Sequence, residues 1–141
     1  MVCIYCGAPT QVINSRHQRR LNNIWRRRKC KVCVAVFTTE ERAALHLSLM
    51  VALPANRLVP FSRDYLFASV YDSCGHRPSA INDATALTQT IITSLVRAQR
   101  NGIVTLADIA RATHALLQRF DPAAATIYAA YHPLATAEAT S

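Results

Sequence analysis

The chain has 141 residues, 51% of them hydrophobic, and a net charge of +8. That length fits one ordinary domain or two small ones, with enough apolar material for a core and no apolar run long enough to span a membrane. The charge is concentrated: residues 1 to 39 carry Arg16, Arg19, Arg20, Arg26, Arg27, Arg28, Lys29 and Lys31 and no Asp or Glu, while from Glu40 onward eight Arg balance eight acids. A single-sign block of this kind is the electrostatic footprint of a polyanion binder rather than an ordinary solvated surface, where signs are mixed.

The chain opens on Cys3-Ile4-Tyr5-Cys6, and an intervening run of 23 residues separates it from Cys30-Lys31-Val32-Cys33. A two-residue spacer lets a tight turn present both sulfurs to one ion, so two such pairs supply the four corners of a tetrathiolate zinc site. Cys3, Cys6, Cys30 and Cys33 are therefore the predicted metal ligands. Two disulfides would need an oxidising compartment. Cys3 and Cys6 interrupt the N-terminal stretch, so a signal peptide is not expected and the cytoplasm is the expected location. Cys74, distant and among apolar residues, is expected to be a small buried side chain.

Gly7 supplies the positive φ that a zinc knuckle needs. Val12 to Arg16 reads as a first strand, and Asn22-Asn23 as a hairpin tip. Ile24-Trp25 restarts an extended segment that runs through Arg26-Arg27-Arg28-Lys29. Val34 to Thr39 reads as a third strand. The result is a three-stranded zinc ribbon, too small to hold itself together without metal. Thr39 to Ala44 is expected to form a short helical connection capped by Thr38 or Thr39. Leu45, Leu47, Leu49 and Val51 alternate with His46, Ser48 and Met50 in a period-two strand pattern. Pro54-Ala55-Asn56 reads as a turn, and Leu58-Val59 as a short returning strand.

The remainder reads as helices. Ser62 caps the first, which carries Leu66, Phe67, Val70 and Tyr71 at helical spacing and ends at Gly75. Ser79 caps the second, with Ile81, Ala84, Leu87, Ile91, Leu95 and Ala98 predicted on one face. Thr105 with Asp108 gives a capping-box start to the third, with Ile109, Ala112, Leu116 and Phe120 inward. Asp121-Pro122 opens a fourth as N-cap and N1 proline, ending near Tyr131. The expected fold class is thus α+β. A zinc ribbon occupies residues 1–43, a helical domain with a leading β-hairpin residues 44–133, and a disordered tail residues 134–141.

Several of these stretches resemble one family. Cys3-Ile4-Tyr5-Cys6-Gly7-Ala8, Asn14-Ser15-Arg16, Arg26-Arg27-Arg28-Lys29-Cys30, Val32-Cys33 and Phe37-Thr38-Thr39-Glu40-Glu41-Arg42-Ala43 are similar to the zinc-ribbon half of the NrdR-type repressors of ribonucleotide reductase genes. The resemblance implies a zinc-dependent, DNA-binding transcriptional repressor, not an enzyme, whose ribbon is paired with an ATP-cone that senses ATP or dATP. It also implies a homo-oligomer, since repression uses more than one ribbon per operator. Pro60-Phe61 before a helix, Arg77-Pro78 before the next and the helix after Asp121 are similar to a cone in layout. The leading hairpin departs from that family: Leu53 and Pro54 stand where the cone has a basic pair, Val59 where it has an acid, and Tyr65 where it has a lysine. Neutral side chains cannot replace ammonium or guanidinium groups facing a triphosphate. The domain is therefore expected to bind nucleotide differently or weakly, or to serve structure and oligomerisation.

The candidate DNA contacts are Arg16, Arg19, Arg20, Arg26, Arg27, Arg28 and Lys29, with double-stranded DNA as the partner and no membrane role. On an extended segment alternate side chains face opposite ways, so Arg26 and Arg28 are expected on one face and Arg27 with Lys29 on the other. Arg16 on the adjacent strand would join one of these rows, and Arg19 and Arg20 near the tip suit phosphates. Trp25 is read as a core or packing residue of the ribbon in preference to a base-stacking platform. His17 is read as solvent- or DNA-facing, because four cysteines complete the metal site. No nucleophile–base pair or paired carboxylates stand out. The competing reading is a nucleic-acid-binding adaptor, with a helical protein-interaction domain and no nucleotide sensing.

Overall fold

The computed structural model describes residues 1–134. The tail expected over 134–141 lies, apart from Leu134, outside them. The chain divides into two compact units, the first ending at Ala44 and the second beginning at Leu45. Helices and two separate three-stranded sheets make the fold α+β.

The first unit is a three-stranded antiparallel sheet of β1 (Thr10–Gln18), β2 (Asn23–Cys30) and β3 (Val36–Glu41), with β2 in the centre. Asn22, with φ of 49°, turns the first hairpin. The third strand does not begin at Val34, whose φ of 57° makes it part of the second knuckle turn. Nor does Thr39 to Ala44 open a helix. Thr39, Glu40 and Glu41 stay extended because they pair with Arg26, Trp25 and Ile24 of β2. Two side-chain links fasten that pairing: Arg26 binds Glu41 at 2.8 Å, and the Asn23 amide donates to Glu40.

The second unit begins with a helical turn, α1 (Leu45–Ser48), not the strand that the alternation predicts. Leu45 and Leu49 are four residues apart and both pack into the core. The Leu49 N–H donates to the Leu45 carbonyl, and Leu47 is left 78% exposed. The hairpin is formed by β4 (Met50–Leu53) and β5 (Arg57–Pro60), turned by Ala55 and Asn56 at positive φ. A further strand, β6 (Ile103–Thr105), pairs parallel to β4, giving the order β5-β4-β6. Its three residues, Ile103, Val104 and Thr105, are all β-branched and favour a strand, but a run of three carries too little pattern to mark one in the sequence.

Helices α2 (Arg63–Ser73), α3 (Ala80–Ala98), α4 (Leu106–Phe120) and α5 (Pro122–Tyr131) complete the unit. Ser62 caps α2 through the Tyr65 N–H, Thr105 and Asp108 form a reciprocal capping box, and Asp121 accepts from the Ala123 and Ala124 N–H groups at the start of α5. Ser79 does not cap α3; its hydroxyl donates to Asp83 instead. Gly75 stands beyond α2, with Cys74 as the C-cap. The face predicted for α3 holds at Ala84, Leu87, Ile91 and Leu95 and fails only at its ends, Ile81 and Ala98. That of α4 is turned by one residue, about 100° of helix rotation, leaving Ile109, Ala112 and Leu116 half-buried against the core. In α3 the stripe runs through Ala80, Ala84, Leu87, Ile91 and Leu95, and Ile81 is 62% exposed. In α4 it is Ala110, Thr113 and Leu117 that are fully inside, and Phe120 lies at the surface beneath the Arg77 guanidinium, 4.6 Å from its ring centre.

One core, including Leu49, Val51, Phe61, Val70, Ile91, Val104, Leu117 and Tyr128, joins the sheet to all four longer helices. Cys74 belongs to it, and burial pushes its thiol pKa up. Beside the core, Arg77 binds Asp83 at 2.8 Å and Asp121 at 3.0 Å, and His76 binds Asp121 at 2.9 Å. The two groups tie the α2–α3 turn to the α4–α5 junction.

A four-cysteine centre under a two-faced basic sheet

Two turns of similar build carry the four sulfurs. In the first, the Gly7 N–H donates to the Cys3 carbonyl and the Tyr5 N–H to the Cys3 sulfur. In the second, the Val32 and Cys33 N–H groups both donate to the Cys30 sulfur at 3.4 Å. The residue after each pair, Gly7 at φ 73° and Val34 at φ 57°, takes the left-handed conformation. Glycine does so freely, whereas the β-branched Val34 is strained there.

The turns bring Cys3 Sγ to 3.6 Å from Cys33 Sγ and Cys6 Sγ to 3.5 Å from Cys30 Sγ, and all four sulfurs lie within 4.8 Å of one another. A disulfide would need roughly 2.05 Å, and all four cysteines are free. Tetrahedral zinc with Zn–S bonds of ~2.3 Å would place its sulfurs ~3.8 Å apart, so the donor set and its spacing fit zinc. Cys30 is held at a pKa of about 6, chiefly by the Val32 N–H and against the opposing effect of burial. Against the Ala35 N–H, the neighbouring Cys30 and Cys6 sulfurs push the Cys33 thiol up to about 12, so metal binding has to displace protons from part of the set. Cys3 and Cys30 are buried with Phe37 and backed by Ala8, and Tyr5 meets Phe37 edge to face. Outside the ligands this core is small, so metal ligation supplies much of its stability.

Above the knuckles, register decides which basic residues stand together. Residues directly opposite in a sheet share a face. β1 contains a bulge between Val12 and Asn14 that shifts its pairing with β2 by one residue. Beyond it, Arg16 opposes Trp25 and Asn14 opposes Arg27. With the register of Val12 and Arg28 continued, Arg16 would have opposed Ile24 on the other side.

The bulge therefore assembles one face from Arg16, Trp25, Arg27, Lys29, Asn14 and Thr38. The opposite face carries Arg26, Arg28, Ser15, Phe37 and Thr39. On that second face Arg26 is ion-paired with Glu41, and the Arg28 Nε–H donates to the Thr39 hydroxyl at 3.1 Å. On the first face Arg16 and Arg27 are exposed. Arg19 and Arg20 are exposed at the hairpin tip, and His17 is exposed on β1. Trp25 differs from its reading as a packing residue: it stands on the central strand and is 44% exposed.

The sequence profile described as the N-terminal domain of NrdR-like transcriptional repressors matches residues 1–41. Among curated proteins, the transcriptional repressor NrdR of Streptomyces clavuligerus is 34% identical over 144 aligned positions, covering 99% of this chain and 81% of that protein. The repressor of the same name from Parafrankia sp. is 32% identical, covering 99% and 75%. That of Syntrophotalea carbinolica is 38% identical over 92 positions, and the match spans 64% of this chain and 58% of that protein.

Proposed function

The chain belongs to the NrdR family of transcriptional repressors, and from that membership we propose that it is a zinc-dependent DNA-binding repressor. The observation that carries the proposal is a four-cysteine unit with eight basic residues and no acid before Glu40. In this reading residues 1–43 bind double-stranded DNA, and residues 44–133 hold copies of the chain together so that more than one ribbon reaches an operator. Cys3, Cys6, Cys30 and Cys33 hold the zinc, which serves to fix the two knuckles and supplies no chemistry to a substrate. Arg16, Arg19, Arg20, Arg26, Arg27, Arg28 and Lys29 are the candidate cationic contacts, of which Arg26 and Arg28 are already engaged by Glu41 and Thr39. Each phosphate they neutralise releases counterions, which gives affinity and steep salt dependence; choice of sequence needs arginines that reach base edges.

Whether ATP or dATP acts on the second unit is a separate matter. Leu53 and Val59, which stand at positions where the resemblance calls for charge, pack against the hydrophobic core, and Tyr65 is 82% exposed. That packing favours the reading of a DNA-bound protein whose second unit serves association rather than nucleotide sensing. A gel-shift comparison tests the repressor proposal. Promoter fragments of ribonucleotide reductase genes should be bound in preference to scrambled duplex and structured RNA. Equal binding to scrambled duplex, or preference for RNA, would point to a general nucleic-acid adaptor.

A further inference from the structure

We propose that the ribbon meets duplex DNA with the sheet face of Arg16, Trp25 and Arg27, and that Trp25 enters the groove as an apolar wedge between two phosphate-binding arginines. The inference rests on the DNA-binding reading above and adds which face is used and which side chain reaches the bases. Three observations lead to it. First, the two faces are not equivalent. Arg26 and Arg28 already have partners in Glu41 and Thr39, whereas Arg16 and Arg27 stand exposed.

Second, Trp25 lies on the central strand, with Arg16 opposite it on β1 and Arg27 two residues along β2. It is 44% exposed although Phe37 and the cysteines offer an apolar core on the other side of the same sheet. A large aromatic left in water costs free energy unless a partner covers it. Third, Arg16, Arg27 and Lys29 outnumber the one acid on this face, Glu40 opposite Trp25, whose carboxylate accepts from the Asn23 amide, so the face is positive on balance. Charge complementarity commits the face to a polyanion. A tryptophan among arginines matches apolar wedging at a groove floor with cations on the flanking phosphates. The bulge in β1 is what brings Arg16 to this face, so the arrangement depends on one extra residue in one strand.

Trp25 is the only tryptophan of the chain, so its emission reports on this face alone. The experiment titrates the zinc-loaded full chain with mixed-sequence duplex DNA. Binding is followed by fluorescence anisotropy of the labelled duplex, and Trp25 by its intrinsic emission. The expected result is quenching of Trp25 that tracks binding. Trp25→Ala should lose roughly tenfold in affinity with an unchanged salt slope, because no counterion-releasing charge is removed. Trp25→Phe should retain most of the affinity. Zinc content of both variants, measured alongside, separates lost contact from lost fold, and the parent's Trp25 emission carries the test if the alanine variant fails to hold zinc. Duplex binding with unchanged Trp25 emission, or unaltered affinity of a zinc-loaded Trp25→Ala chain, would overturn the wedge and leave the DNA-binding reading standing. Tighter, Trp25-dependent binding of single-stranded DNA or RNA would overturn the duplex assignment. No duplex binding by the zinc-loaded chain would overturn both readings.

Discussion

Arg26 and Arg27 are neighbours in sequence and opposites in circumstance. Arg26 spends its guanidinium on Glu41, while Arg27 is exposed beside Trp25. Arg27→Ala is expected to weaken duplex binding and to reduce the slope of log affinity against log salt by about one, the signature of one lost phosphate contact. Arg26→Ala is expected to leave that slope nearer the parent value. Its surface ion pair, about a third exposed on one side and more on the other, is worth no more than about 1 kcal/mol of ribbon stability. Salt titrations of the two variants compare them directly, and equal slopes would mean that both faces touch phosphate. The zinc ligands were legible in the sequence because their chemistry is written in spacing. The exposure of Trp25 was not, because alternation along β2 sorts its residues into two faces without saying which one Phe37 and the cysteines cover.

Among the elements, the α4–α5 junction depends most on one side chain. Asp121 caps α5 and receives both His76 and Arg77. Its pKa falls to about 2, mainly through the His76 hydrogen bond, with burial opposing and Arg77 and the Ala124 and Ala123 N–H groups assisting. A carboxylate whose folded pKa lies below its unfolded value near 4 stabilises the fold above that value. The contribution is complete at neutral pH and disappears as the pH falls from about 4 to about 2. Asp121→Asn should therefore lower the melting temperature at pH 7, and the gap from the parent should close by pH 2. A constant gap across that range would assign the effect to shape rather than charge.

Caps such as Ser62, Thr105 and Asp121 could be read in advance, since they follow from local hydrogen-bonding chemistry. The Leu45–Val51 alternation misled because α1 needs only Leu45 and Leu49 inside. The parallel strand β6 was hidden because its partner β4 lies some fifty residues away, and three residues carry little pattern of their own. The face of α4 slipped by one position because Ala110 and Thr113, not the larger Phe120, fit where helices pack closely, whereas that of α3 was misplaced only at its ends, Ile81 and Ala98.

For the whole molecule, two kinds of stability coexist in one chain. The second unit has a continuous apolar core, whereas the first has three buried apolar residues, two of them metal-ligand cysteines. The second unit also fills with Leu53 and Val59, which pack against that core, hairpin positions where the resemblance calls for a base and an acid. Calorimetry with ATP and dATP is accordingly expected to show no saturable binding in the micromolar range. Clear micromolar heats would mean that nucleotide is held by other residues. The central claim is that metal folds a basic sheet whose task is to bind DNA. The most direct measurement is duplex affinity of the full chain before chelation, after it, and after zinc is restored, with far-UV circular dichroism recorded at each stage. Removal of zinc should abolish binding while most of the helix signal from α2 to α5 persists, and restored zinc should recover binding. A zinc-free protein that binds duplex as tightly as the loaded one would contradict the account.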